Sequence, residues 1–200
     1  MTYTIAISGT SGAGKTSLAR AVAERLDAAV LFFDDYEYPD AAAIYPDLEA
    51  WIAQGLPLAT HAGTTLAGEI ARLAAGESVL RPKTEEVIAP TPYLVIEEPI
   101  GRGRPAIAPL IDLAVVIATP QDIALARRLA RDLAASSPDR TLEQIVMQAR
   151  GYLGWYAAVG HDFYERMIGL AKADADLIVD GRLTIDELAR TIAEHATAAR

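Results

Sequence analysis

The sequence predicts an α/β protein, a five-stranded parallel sheet with helices on both faces. Three observations predict it. Five short apolar runs have the length and β-branched content of buried parallel strands. Helical patterns lie between them, and that alternation marks βα units. The first run passes through a glycine-rich turn straight into the first helical pattern.

The elements follow in order. Tyr3–Ser8 is the first strand, YTIAIS. Residues 17–26 form a helix, because Leu18, Val22 and Leu26 recur at i, i+4 and i+8. The second strand is predicted at residues 30–33, the third at Tyr93–Glu97, the fourth at Leu113–Ala118 and the fifth at residues 177–179. Further helices are predicted at residues 64–75, 121–135, 142–153 and 185–193. Proline- and glycine-bearing stretches at residues 38–46, 81–92 and 99–109 read as site-forming loops rather than domain boundaries. No internal repeat or low-complexity linker interrupts the 200 residues, so a single domain is expected.

Composition narrows the function classes. The net charge of −9 speaks against tracking a nucleic-acid polymer, which needs a basic stripe, yet leaves room for a local positive pocket. The absence of cysteine removes disulfides, thiolate metal sites and thiol nucleophiles. No apolar run approaches the ~18–20 residues of a membrane span, and no basic leader precedes the first strand. The expectation is a cytoplasmic protein with no membrane partner. A homo-oligomer is left open.

The most specific signal is Gly9-Thr10-Ser11-Gly12-Ala13-Gly14-Lys15-Thr16, which spells G-x-x-x-x-G-K-[ST] between strand and helix. Glycines let the backbone wrap tightly and aim its N–H groups inward. The helix end that follows, Ser17 included, adds positive potential. Lys15 is expected on the β- and γ-phosphates of a nucleotide, and the Thr16 hydroxyl on Mg²⁺.

Open parallel sheets bind ligands beyond the carboxyl ends of their strands. There the sequence places Asp34 and Asp35 after the second strand, Glu97 and Glu98 after the third, Thr119 after the fourth, and Asp180-Gly181 after the fifth. Asp34 is a candidate general base for a substrate hydroxyl. A cap of the next segment is the other role open to Asp34 and Asp35. Glu97 is the candidate second support of Mg²⁺. Successive strand side chains point to opposite faces, so Glu98 is free to meet a loop arginine instead. Arg127 and Arg131 share a helix face and can clamp a transferring phosphoryl group, with Arg128 beside them paired to Asp132 or turned to the nucleotide. Arg102 and Arg104 either reach substrate or pair with Glu98. His161 is either a substrate edge or an ordinary helix residue, and no histidine has a metal-ligand spacing. Tyr36 and Tyr45 are candidates to line the acceptor pocket. Trp51 and Trp155 are read as packing residues, and His61 and His195 carry no role.

Four segments resemble the uridine kinase and nicotinamide riboside kinase branch of the P-loop kinases: Ile7 through Thr16, Phe33-Asp34-Asp35-Tyr36, Leu94-Val95-Ile96-Glu97, and Ala124 through Asp132. The tail Lys172 through Val179 resembles the last strand of these kinases, so the likeness spans nearly the whole chain. It implies a P-loop NTPase fold of the nucleoside kinase type with a small helical lid, near residues 121–140. It implies ATP and Mg²⁺, and transfer to a hydroxyl of a small molecule, foremost a nucleoside. Asp34 matches the family's base and Glu97 its strand-end acid, while Arg127, Arg128 and Arg131 fall on its lid helix. Two departures bear on the acceptor: Glu98-Pro99 follows the acid where the family has glycine, and residues 40–91 lack a clear nucleoside-pocket pattern. A sugar, sugar acid, pantothenate or antibiotic hydroxyl therefore stays open as acceptor, as does a nucleotide-binding protein without transferase activity.

Overall fold

The structure is a computed structural model that describes residues 2–37, 53–54, 63–82, 84–134 and 140–200. Strand β1 is Tyr3–Ser8, followed by helix α1, Lys15–Leu26. Next come β2 (Ala29–Phe32), α2 (Phe33–Glu37) and α3 (Thr64–Ala74). A short hairpin, β3 (Val79–Leu80) and β4 (Val87–Ile88), precedes β5 (Tyr93–Glu97). Then follow β6 (Leu113–Ala118), α4 (Gln121–Ala134), α5 (Leu142–Trp155), α6 (His161–Ala173), β7 (Leu177–Asp180) and α7 (Ile185–Ala199).

Five strands form one parallel sheet in the order β2-β5-β1-β6-β7. The chain leaves central β1 in one direction for β2 and β5, and in the other for β6 and β7. All five carboxyl ends therefore line one rim. The strands are apolar runs because both faces are covered. On one face, Leu18 and Val22 of α1 and Leu188 and Ile192 of α7 pack on Ile5, Ile7 and Val115. On the other, Leu66, Ile70 and Leu73 of α3 pack on Leu31, Leu94 and Ile96. Each such side chain contributes about 1.5–3 kcal/mol by leaving water. A third cluster joins Tyr164 and Met167 of α6 to Ile100.

Helix starts differ in a way that matters for the site. α5 and α7 open with capping boxes, Thr141 with Gln144 and Thr184 with Glu187, whose side chains satisfy the first backbone N–H groups. α1 opens on Gly14 in a left-handed conformation, with no side-chain cap and no acid in its first turn.

The structure differs from the sequence expectation in four elements. Phe33 begins α2 rather than ending β2, since its ring packs into the α3 face of the core. The hairpin β3–β4 lies where a loop is expected, with only two residues per strand. The connection after β5 coils into two 3₁₀ turns, Gly101–Gly103 and Ala108–Leu110. Residues after α5 run on through a π-turn, Tyr156–Gly160, into α6, which the aromatic-rich sequence conceals. Trp51, His61 and Tyr45 lie outside the described residues.

Candidate active site

The turn after β1 is shaped by its glycines. Gly12 and Gly14 have φ of 87° and 96°. A Cβ on Gly12 would sit 2.0 Å from the carbonyl oxygen of Ala124, so the loop and the first turn of α4 meet at a distance only glycine permits. Gly9, Thr10 and Ala13 are buried beneath the loop, while Ser11, Gly12, Gly14, Lys15, Thr16 and Ser17 line a cleft of about 620 Å³.

Register explains which acid reaches this cleft. Glu97 pairs with Ile7 of β1 and Phe32 of β2, on the sheet face that α1 covers. There its Oε2 accepts a hydrogen bond of 2.8 Å from Thr16 Oγ1, and its Oε1 lies 3.7 Å from Lys15 Nζ. Lys15 Nζ also donates to the carbonyl of Thr10 at 3.2 Å, so the ammonium is held between the loop and the acid. A hydroxyl beside a carboxylate is a hard oxygen donor set suited to Mg²⁺. Among the described residues no group of three His, Asp or Glu side chains could hold a metal.

Asp34, in the first turn of α2, lines the same cleft, as do Arg127, Arg128 and Arg131 of α4. Its neighbour Asp35 is 3.3 Å from Arg81 and outside the cleft. Arg127 Nη1 donates to the Gly181 carbonyl at 3.0 Å, tying α4 to the end of β7. Arg128 hydrogen-bonds Ser11 Oγ of the phosphate loop and Asp132 Oδ2 at 3.3 Å, and its guanidinium lies 4.4 Å over the Tyr152 ring. Arg131 pairs with Asp132 at 3.0 Å. Asp180, on the same rim, is held at about 2 by hydrogen bonds from the Arg182 side chain and backbone, and it does not line the cleft.

Four expected substrate contacts are placed elsewhere. Arg102 donates to the carbonyls of Asp174, Ile111 and Asp112 and pairs with Asp176 at 2.8 Å, binding the 3₁₀ turn to the approach to β7. Arg104 is buried and pairs with Glu98, because Glu98 points to the sheet face opposite Glu97. Tyr36 packs in the core with α3 at 5% exposure, where burial raises its hydroxyl to about 12. His161 sits exposed at the start of α6, bonded to Asp162 and edge-on to Tyr156. The sequence reading also passed over Tyr152, the aromatic support of Arg128. Its spacing of four from Tyr156, on the helix that follows the α4 arginines, was the available signal.

The fold and this cleft are similar to those of P-loop kinases of small molecules. Within that class the chain is similar to uridine kinases. It is 28% identical over 199 residues to the uridine kinase of Borrelia duttonii (strain Ly), covering 90% of this chain and 86% of that one. Two solved structures share the fold at 15% identity. One is a sugar kinase from Janibacter sp. HTCC2649, with a TM-score of 0.54 over 97% of this chain and 94% of the other. The second is a gluconokinase from Sinorhizobium meliloti 1021, with a TM-score of 0.54 over 98% and 92%. No protein-family model matches the chain. Among the described residues no helix is long and apolar enough to cross a membrane.

Proposed function

We propose that the protein transfers the γ-phosphoryl group of ATP, with Mg²⁺, to a hydroxyl of a small molecule, foremost a nucleoside. The observation that carries this reading is the convergence in one cleft of Lys15, Thr16 and Glu97 with Asp34 and three α4 arginines. The similarity to uridine kinases supports a nucleoside as the acceptor.

In this reading the loop N–H groups and the open end of α1 bind the phosphate tail, and Lys15 exchanges its loop and Glu97 contacts for phosphate oxygens. Thr16 and Glu97 would hold magnesium, which would supply neutralisation of the phosphate charge. Asp34 accepts the proton of the acceptor hydroxyl. The alcohol oxygen bonds to the γ-phosphorus, the bond from that phosphorus to the bridging oxygen breaks, and ADP leaves. Arg127, Arg128 and Arg131 offset charge on the group in transit.

Coupled ADP release from MgATP, screened over nucleosides, sugars, sugar acids, pantothenate and hydroxylated antibiotics, tests the proposal. Turnover with uridine or another nucleoside is the expected result. Turnover confined to another acceptor class overturns the nucleoside assignment. ATP binding with no acceptor-dependent ADP release overturns the transferase. Asp34→Asn is expected to lower kcat ~10²–10⁴-fold.

A further inference from the structure

At the rim of the sheet, the last residue of each of two adjacent strands and the residue that follows it point to opposite faces. Phe32 of β2 is in register with Glu97 of β5, and both lie on the α1 face with the cleft above them. The residue after each strand, Phe33 at the start of α2 and Glu98 beyond β5, faces the other way, into the layer covered by α3. Arg104 joins these two from below. Its Nε donates to both oxygens of Glu98, at 3.1 and 3.2 Å, and its guanidinium lies 4.1 Å over the Phe33 ring. Glu98 Oε1 also accepts from the Ile100 backbone N–H at 3.0 Å. Side-chain exposure is 4% for Arg104 and 0% for Glu98, so the pair is dry.

A dry ion pair is a weak source of stability, because desolvation of both charges offsets most of their attraction. The planar guanidinium, however, fixes the direction of the Nε–H shared by the two Glu98 oxygens and lays a flat face on Phe33. Here it grips the residue before Asp34 and the residue after Glu97. We propose that Arg104 is a positioning residue: paired with Glu98 and laid over Phe33, it sets the separation of the acceptor-orienting Asp34 from the metal-supporting Glu97. The inference rests on the transfer reading above and adds to it a support that lies outside the cleft. Phe33 carries the constraint to α2, and the β5 backbone carries it to Glu97. Lysine at position 104 keeps the charge but has neither the fixed N–H direction nor the flat face for Phe33. A misplacement of about 1 Å between reacting groups costs up to ~10²-fold in rate.

The test is a double-mutant cycle read by MgATP turnover with uridine, or with the acceptor the screen finds. Arg104→Lys is expected to lower kcat about tenfold while KM for MgATP stays within about twofold. On an Asp34→Asn background the same change is expected to cost less than about twofold, since the group it positions is gone. Melting temperature is measured on every variant, and assays run well below it. Glu98→Gln, which keeps volume and the acceptor for Ile100 N–H, is read in the same way. Equal losses on both backgrounds overturn the proposal, as does wild-type kcat in either folded variant. Failure of both variants to fold makes the pair an element of stability alone and equally overturns it. Should Asp34→Asn itself leave turnover intact, the role of Asp34 falls, and the positioning proposal falls with it. Loss of turnover in Asp34→Asn with none in Arg104→Lys removes the positioning role only.

Discussion

α1 buries Leu18, Ala19, Val22 and Ala23 among its 12 residues, whereas α5, with 14 residues, buries none. α1 is wedged between the sheet and α7. α4 buries Ala124 alone, and α5 leaves Leu142, Val146, Met147 and Leu153 exposed. α1 and α4, which meet at the same cleft, are thus anchored very differently. The cradle is part of the core. The overhanging pair is held by a few polar links, with Arg127 on the Gly181 carbonyl and Arg128 between Ser11 and Tyr152, and by the aromatic contacts of Trp155 with Phe163 and Tyr164. Regions with little buried apolar surface open at low free energy, and moving parts of enzymes come from them. On that contrast, α4 and α5 are expected to open more readily than α1.

The sharpest way to break this division is Lys15→Ala. It is expected to lower kcat by about 10³-fold or more while the melting temperature stays near wild type, measured by ADP release and calorimetry. A fall in both would place Lys15 among the supports of the fold. Next in size, Leu18→Ala empties a site at 0% exposure and is expected to cost about 2–5 kcal/mol in denaturant unfolding. Leu142→Ala, at 76% exposure, is expected to stay within ~0.5 kcal/mol. Similar costs for the two would erase the contrast. Arg128→Ala tests the links rather than the packing. Amide exchange is expected to quicken in α4 and α5 but not in α1, with kcat down about tenfold. Uniform exchange across the three helices would refute it.

A further effect concerns Tyr36, whose buried hydroxyl has no partner among the described residues and is raised to about 12 by burial, with Arg81 acting in the opposite sense. Below pH 10 the tyrosine is neutral folded or unfolded. Between pH 10 and 12 the unfolded chain ionises first, so stability falls as pH rises. Tyr36→Phe is expected to remove about 1–2 kcal/mol of that alkaline loss and to change stability at pH 7 by less than ~1 kcal/mol. An unchanged alkaline slope would place the hydroxyl in water.

Most of the framework was legible because its signals are local. The apolar runs are strands, Leu18, Val22 and Leu26 share the helix face that packs on the sheet, and the glycines shape the turn before α1. What was hidden depends on orientation. Phe33 read as strand because it is apolar, yet its ring turns away from the cleft. Arg102 and Arg104 lie within seven residues of Glu97, close enough to suggest the rim, but the 3₁₀ turns carry them to the opposite side. Strand alternation at Glu97 and Glu98 was the available guide, and it points Arg104 to the buried acid. α6 stayed hidden because a π-turn shifts the helical phase between it and α5.

The uncapped start of α1 has a consequence for heat resistance. α5 and α7 close their own first turns with side chains, so nothing added from solvent would tighten them further. The first helix has its opening backbone donors still to be matched, beside a lysine that now leans on its own loop. An anion seated there would bind the native chain and not the unfolded one. At a hundredfold excess over its dissociation constant it would add about 2.7 kcal/mol, a rise of roughly 5–10 °C in melting point for a chain of this size. Warming the protein with and without a triphosphate would read that increment directly.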